Sequence, residues 1–278
     1  MEKTLFVTDL DGTLMRNDKS ISGKSVTCLK HLIEQGILIT YATARSIDSA
    51  SKLTKDIPFQ IPVITRNGTI LSNPRTKKEI EIAVFEPDAL SMIRQCLKEH
   101  EVPGFISSYR NKKETKLYLE NRMNTGLQMY LRAHADDKRL RAVPDEDDLY
   151  QGEICYFTFI ADKADLESLY TSLRGSDKWN CVYQQDKYRP EYWLEICPKS
   201  ATKAMAVRKI QKQYECEQVV VFGDSLNDIS LFEMADEAYA VENAMEELKQ
   251  LATGVIPSNE NDGVAVWLDR RFSSYSSI

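Results

Sequence analysis

The strongest constraint on this chain is a short apolar run that stops at two acids. Leu5-Phe6-Val7-Thr8 leads directly into Asp9-Leu10-Asp11-Gly12-Thr13. Such a run reads as a buried strand, and residues two apart on a strand point to the same side. Where the chain leaves the sheet, Asp9 and Asp11 can therefore face one small volume beyond the strand's carboxyl end. A surface Asp-Gly turn closing a hairpin would explain the dipeptide, but not the apolar run before it. At background frequencies of roughly 5–7% per residue type, a D-x-D-G-T string arises by chance in about a few chains per thousand of this length.

The spacing has chemical consequences. Two adjacent carboxylates repel, and a divalent cation relieves the repulsion. Mg²⁺ takes a few carboxylate oxygens, several waters and a substrate phosphate oxygen. With its charge in place, one carboxylate can attack phosphorus and form an aspartyl-phosphate. Gly12 lets the chain turn where a side chain would crowd a ligand, and the Thr13 hydroxyl can hold that turn.

A chain of 278 residues can bury a sizeable core and is expected to form two domains. With 42% hydrophobic and 28% charged residues and a net charge of −6, neither disorder nor broad nucleic-acid affinity is indicated. No apolar stretch reaches the roughly 20 residues that span a bilayer, and the first nine residues lack the apolar region and cleavage site of a secretory signal. A cytoplasmic protein with no membrane partner is expected. Cys28, Cys96, Cys155, Cys181, Cys197 and Cys216 are scattered, without a C-x-x-C pair, and read as reduced thiols.

Helix-period and strand-like segments alternate in the first third. Val26, Leu29, Leu32 and Ile33 share a helical stripe that Gly36 is placed to end. Strands are expected at Ile37–Tyr41 and Pro62–Thr65, with a helix from Ser46 to about Lys55 between them. The alternation returns late in the chain. Ala204, Val207 and Ile210 mark a helix, Val219–Phe222 a strand, Ile229–Met234 a helix and Tyr239–Val241 a strand. Asn243 is placed to cap a helix carrying Leu248 and Leu251, and Val255-Ile256 can add a last strand. Such alternation implies a parallel sheet with right-handed crossovers.

The middle differs. It holds a helix with Leu90, Ile93 and Leu97, an acidic stretch at Asp136–Asp148, the strand Ile154–Ile160, and a helix with Leu166, Leu169 and Leu173. It reads as an inserted α+β domain, and only the Ser-rich tail Ser273–Ile278 reads as disordered.

Open α/β sheets bind ligands beyond the carboxyl ends of their strands, and polar residues fall at those places. Asp9 follows the first strand, Thr43 and Arg45 the second, Asn67-Gly68 the third, and Gly223-Asp224-Ser225-Leu226-Asn227-Asp228 the strand at 219–222. Each has a plainer role open to it: Thr43 as a helix cap, Asn67-Gly68 as a turn, Asp224-Ser225 as a capped helix start. Four such ends in one sheet would converge on one pocket.

With these motifs in order, the chain resembles a haloacid-dehalogenase-superfamily phosphatase of the Cof type over nearly its whole length. The resemblance implies an α/β fold: a Rossmann-like parallel sheet core at 1–83 and 190–278, with an inserted α+β cap domain at 84–189. It also implies a Mg²⁺-dependent phosphomonoesterase acting on a small phosphorylated metabolite, a sugar phosphate first among them. Asp9 would be nucleophile and metal ligand, and Asp11 general acid and then base, lending its backbone carbonyl to the metal. Thr43 would hydrogen-bond the phosphoryl oxygens, Lys203 would neutralise developing charge, and Asp224 and Asp228 would complete or support the metal site. Leu10, Gly12, Ala44, Arg45, Asn67, Gly68 and Asn227 would line the phosphate.

Three positions depart from that pattern. Ala44 stands where glycine is common, Glu242 likewise, and Lys199 competes with Lys203 for one role. The helical pattern Ala204, Met205, Val207 favours Lys203. Other chemistries find less support. Gly23-Lys24-Ser25 lacks the earlier glycine and strand of a nucleotide-binding loop, no cysteine is followed by arginine at the spacing of a thiol phosphatase, and His31, His100 and His134 have no metal-ligand spacing. Tyr183, Tyr188, Tyr192 and Trp193 can line the cap or fill its core, and the core reading is favoured because large aromatics mostly bury. Two alternatives stay open: a phosphomutase of the same fold, and a non-catalytic phospholigand sensor.

Overall fold

The computed structural model describes residues 2–110, 113–186 and 189–273. Tyr188 and nearly all of the Ser-rich tail lie outside them. The chain divides into two compact units, the first made of residues 1–82 and 202–278 and the second of 83–201.

In the first unit, β1 (Thr4–Thr8), α1 (Gly23–Glu34), β2 (Leu38–Tyr41) and α2 (Ile47–Leu53) follow the expected alternation. Ser22 and Ser46 cap the two helices by accepting from the backbone N–H three residues on. Gly36, at φ 89°, ends the first connection in a left-handed turn that other residues resist.

The strand expected at 62–65 forms as β3 (Val63–Thr65) but leaves the parallel ladder. It touches that ladder through a lone bridge between Ala42 and Ile64, and pairs antiparallel with β4 (Ile70–Ser72), which pairs with β5 (Glu79–Ile82). The reason is local. Arg66 and Asn67 both sit at φ 52° and Gly68 at φ 97°, so the chain reverses before a crossover can begin.

The second unit runs α3 (Pro87–His100), β6 (Gly104–Arg110), β7 (Lys113–Leu119), α4 (Thr125–Ala133), β8 (Leu140–Val143), β9 (Glu153–Ala161), α5 (Lys163–Leu173), β10 (Trp179–Gln185) and β11 (Tyr192–Pro198). Its six strands lie in the order β10-β11-β9-β6-β7-β8, antiparallel except for β7 and β8. The unit reaches Ala201, beyond the boundary expected at 189, because β11 is paired on both sides, with β10 and β9. Tyr183 and Tyr192 pack on its larger core, around Phe157, Leu166 and Leu169, and Trp193 packs on a smaller one around Phe105.

The chain then completes the first unit with α6 (Lys203–Gln213), β12 (Gln218–Gly223), α7 (Ile229–Met234), β13 (Glu237–Val241), α8 (Glu246–Lys249), β14 (Gly254–Ile256) and α9 (Gly263–Ser273). The parallel sheet has the order β14-β13-β12-β1-β2. In β12, Val219 through Gly223 are buried without alternation, the signature of a strand covered on both faces. α1 packs against α9 and α6 against α7, and their apolar stripes join the strands in one core. Each fully buried Leu or Val there contributes roughly 1.5–3 kcal/mol. The helix predicted after Asn243 is shorter than its pattern suggested. It starts after Met245 and ends at Lys249, which leaves Leu251 exposed at 45%.

All six cysteines are free. Among the described residues, no helix is long and apolar enough to cross a membrane.

Candidate active site

The strand order decides where the acids meet. β1 and β12 are adjacent and parallel, with Thr8 opposite Phe222, and Asp9 N–H continues the ladder to the Phe222 carbonyl at 2.9 Å. The chain leaves β1 at Asp9 and β12 at Asp224, side by side. From this pair of strands the sheet grows in opposite directions, and such a switch point opens a crevice at the strand ends.

Asp9, Asp224 and Asp228 are all buried, and each offers an oxygen within 4.8 Å of the others. Lys203 stands among them, its side chain fully buried, with Nζ donating to Asp9 Oδ1 at 2.6 Å and to Asp228 Oδ1 at 2.7 Å. Burial alone would disfavour the ammonium, but the carboxylates of Asp228 and Asp9 outweigh it and hold Lys203 above lysine's ordinary value. Lys203 opens α6, where the Thr202 hydroxyl caps the helix by accepting from Met205 N–H. Lys199, the competing lysine, is exposed and donates to the Ser176 carbonyl in the second unit.

Asp228 has a second commitment. Its Oδ2 accepts from the backbone N–H of Asp224 (3.1 Å) and of Ser225 (3.2 Å), closing a capping box over the turn after β12. Asp228 therefore fixes both Lys203 and the loop that carries Asp224. Asp224 Oδ1 accepts from the Thr13 hydroxyl at 3.1 Å, which ties the D-x-D-G-T loop to the fourth strand end.

The remaining predicted residues surround this cluster. Asp11 is not in the buried triad; both its oxygens accept from the Arg45 guanidinium at 2.6 Å. Thr43 is buried, and its Oγ1 accepts from Arg45 N–H at 3.2 Å, so its own hydroxyl proton stays available for donation. Ala44, beside it, is half-buried. Leu10 is buried, and its carbonyl accepts from Met15 N–H (2.8 Å), tightening the turn that Gly12 makes at φ 82°.

Asn67 Oδ1 accepts from Asn227 Nδ2 at 3.1 Å, bringing the third strand end to the fourth. Gly68 is fixed by close approach: a Cβ there would lie 2.2 Å from the Thr202 carbonyl oxygen, at the cap of the Lys203 helix. The left-handed turn at 66–68 thus buttresses the lysine.

Two residues escaped the sequence reading. Asn243 does not cap a helix; its Nδ2 donates to the Gly12 carbonyl (2.8 Å) while its Oδ1 accepts from Asn259 N–H (2.9 Å). Asn259 in turn donates to the Met15 carbonyl at 2.9 Å. The signal for Asn243 was its place after the apolar run Tyr239–Val241, the logic that selected the other loops.

The donor set suits a hard divalent cation. Three carboxylates are buried together and two of them hold the Lys203 ammonium, so the cluster's excess negative charge is of the kind that Mg²⁺, which favours oxygen ligands, would balance.

Comparison with known proteins gives the family. A family model for haloacid dehalogenase-like hydrolases matches residues 6–268. The 5-amino-6-(5-phospho-D-ribitylamino)uracil phosphatase YwtE of Bacillus subtilis is 28% identical, over 95% of this chain and 96% of its own. The crystal structure of TM0651 from Thermotoga maritima superposes with a TM-score of 0.76 at 26% identity, covering 97% of both chains. A haloacid dehalogenase-like hydrolase from Bacteroides thetaiotaomicron, at 22% identity, shares the fold with the same TM-score over 97% of this chain and 99% of its own. With the family model spanning nearly its full length, this chain belongs to the haloacid dehalogenase-like hydrolases.

Proposed function

We propose that this protein is a Mg²⁺-dependent phosphomonoesterase that acts on small phosphorylated metabolites through an aspartyl-phosphate on Asp9, with sugar phosphates and related polyol phosphates as its substrate class. The observation that carries the proposal is the buried cluster of Asp9, Asp224 and Asp228 around Lys203. The name of the Bacillus subtilis relative, a phosphatase for a phosphoribitylamino compound, supports the substrate class.

Asp9, Asp224 and Asp228 would hold or support the metal, which when bound supplies positive charge for the phosphoryl oxygens. A carboxylate oxygen of Asp9 attacks phosphorus as the bond to the leaving oxygen breaks. Asp11 gives that oxygen a proton. Lys203, held in place by Asp228, offsets charge that gathers on the phosphoryl group, and the Thr43 hydroxyl donates to it. Asp11, now a carboxylate, takes a proton from water, whose oxygen attacks phosphorus and frees Asp9 and inorganic phosphate. The loops at 66–68 and 225–228 hold these groups so that little reorganisation accompanies the charge movement. The second unit is proposed to act as the cap that selects the leaving group, with the first unit as the catalytic core.

The test is phosphate release from a panel of sugar phosphates, nucleotides and phosphorylated cofactors with Mg²⁺, native chain against Asp9→Asn. Release by the native chain and a loss of at least about 10⁴-fold in the variant are expected. Comparable release by Asp9→Asn would overturn the reading. Phosphoryl return to substrate would indicate a mutase, and tight binding without turnover a sensor.

A further inference from the structure

We propose that the turn at 258–262 is a clamp that positions the D-x-D-G-T loop for catalysis, with Asn259 as its central positioning residue. The inference rests on the phosphatase reading above and adds to it a duty for the far end of the chain.

The turn grips Met15, Arg16 and Asn17, just past that loop. The Asn259 side-chain amide donates to the Met15 carbonyl at 2.9 Å and to Asn17 Oδ1 at 3.2 Å. Asn17 N–H donates to Glu260 Oε1 at 2.7 Å, and the Arg16 guanidinium donates to both Asp262 oxygens at 3.0 and 3.2 Å. Between 242 and 246 positions of sequence separate the partners.

The grip reaches the loop by two routes. Met15 N–H donates to the Leu10 carbonyl at 2.8 Å, and Met15 forms a lone β-bridge with Asp11, so holding Met15 holds the base of the turn. Asn259 N–H donates to Asn243 Oδ1 at 2.9 Å, and Asn243 Nδ2 donates to the Gly12 carbonyl at 2.8 Å, which holds the apex. Asn259, 2% exposed, joins the two routes.

The clamp is itself rigid. Asp262 sits at φ 56°, a left-handed conformation that a residue with a side chain keeps only where its surroundings impose it. Asn261 N–H and Gly263 N–H both donate to the Ser258 carbonyl, at 3.0 and 3.1 Å, and a Cβ at Gly263 would lie 1.8 Å from the Pro257 carbonyl oxygen. The contacts thus run from a fixed turn to the backbone of the loop that carries the reacting groups, where a displacement of an ångström costs rate.

Two measurements separate positioning from mere fastening. One is kcat and KM on a substrate from the panel above, with Mg²⁺ and well below the melting temperature; the other is hydrogen exchange at Met15 N–H in the metal-free chain. Asn259→Ala is expected to lower kcat by about 30-fold with KM within about twofold of native, and to speed Met15 N–H exchange by about tenfold. Asn259→Gln, which keeps the amide donor on a longer arm, should recover part of kcat. Glu260→Ala, at an exposed position, should lower kcat by about threefold at an unchanged melting temperature, and it carries the test should Asn259→Ala not fold. Native kcat in a folded but less stable Asn259→Ala, or unchanged Met15 exchange, overturns the inference, as does native kcat in Glu260→Ala. A native chain that turns over nothing in the panel overturns the phosphatase reading and this inference with it; an active native chain whose variants keep native kcat overturns the inference alone.

Discussion

Each unit contains a buried ionic cluster, and the two are built on opposite principles. In the second unit Arg139 donates to Asp137 at 2.6 Å and to Glu114 at 2.7 Å, with all three side chains no more than 13% exposed. Lys116 lies near them, its Nζ 4.3 Å from the Phe105 ring centre and 4.0 Å from that of Tyr130. Among these four groups two cations meet two carboxylates, and Arg139, just ahead of β8, is fastened to Glu114 on β7. In the first unit Lys203 pairs with Asp9 and Asp228, and a third buried carboxylate, Asp224, lies within 4.8 Å of both. A balanced cluster is a fastening, while an acid-rich one with a single cation suits, on the function proposed above, a positive guest and chemistry that moves charge.

The largest effect that could break this contrast is at Lys203. Lys203→Met should reduce turnover about 10³-fold, measured by phosphate release, and should lower the melting temperature of the first unit, with Mg²⁺ restoring part of it. A variant that keeps near-native turnover would place Lys203 among fastenings.

Next in size is Arg139→Met, which leaves Asp137 and Glu114 facing each other and should cost roughly 3 kcal/mol in denaturant unfolding of the second unit. Mg²⁺ should not recover that loss. Recovery would erase the distinction between the clusters.

Metal addition sharpens the contrast further. Mg²⁺ at a hundredfold excess over its dissociation constant should stabilise the native first unit by about 2.7 kcal/mol, seen by calorimetry, and Asp224→Asn should abolish most of the gain. An unchanged response in that variant would remove Asp224 from the metal set.

Acid should probe the second cluster more gently. Burial alone would raise the Asp137 carboxyl, but the Arg139 guanidinium outweighs it and holds the group down at about 2, against an ordinary 3.8. Because the folded value is the lower one, the stability it confers is present above 3.8 and fades as pH falls toward 2. Melting curves across that range should show the loss, and Asp137→Asn should flatten it. The smallest effect is expected at Asn243→Ala, where losing the bonds to Gly12 and Asn259 should cost about 1 kcal/mol with a modest fall in turnover.

The five parallel strands and the positions of Asp9, Thr43 and Asp224 were legible because local pattern encodes them. An apolar run marks a strand buried on both faces, and a polar residue after it marks the strand's end. β3 misled because its run looked like the others; its departure follows from left-handed backbone at Arg66 and Asn67, residue types that do not require it. β6 and β7 in the second unit drew no expectation, since a strand such as Lys113–Leu119 carries charges among its apolar residues and Lys116 is buried by neighbours rather than by its own character.

The sequence by itself determined that acids, a threonine and an asparagine–glycine turn would stand at the ends of strands, because backbone hydrogen bonding and apolar burial act over a few residues. Tertiary structure decided which of those groups meet. Lys203 rather than Lys199 reaches Asp9 across 194 positions, Arg45 turns to Asp11, and Asn243 holds the Gly12 carbonyl from 231 positions away. Those pairings depend on β1 lying between β12 and β2, and strand order is settled by the packing of the whole core, which no short stretch of sequence carries.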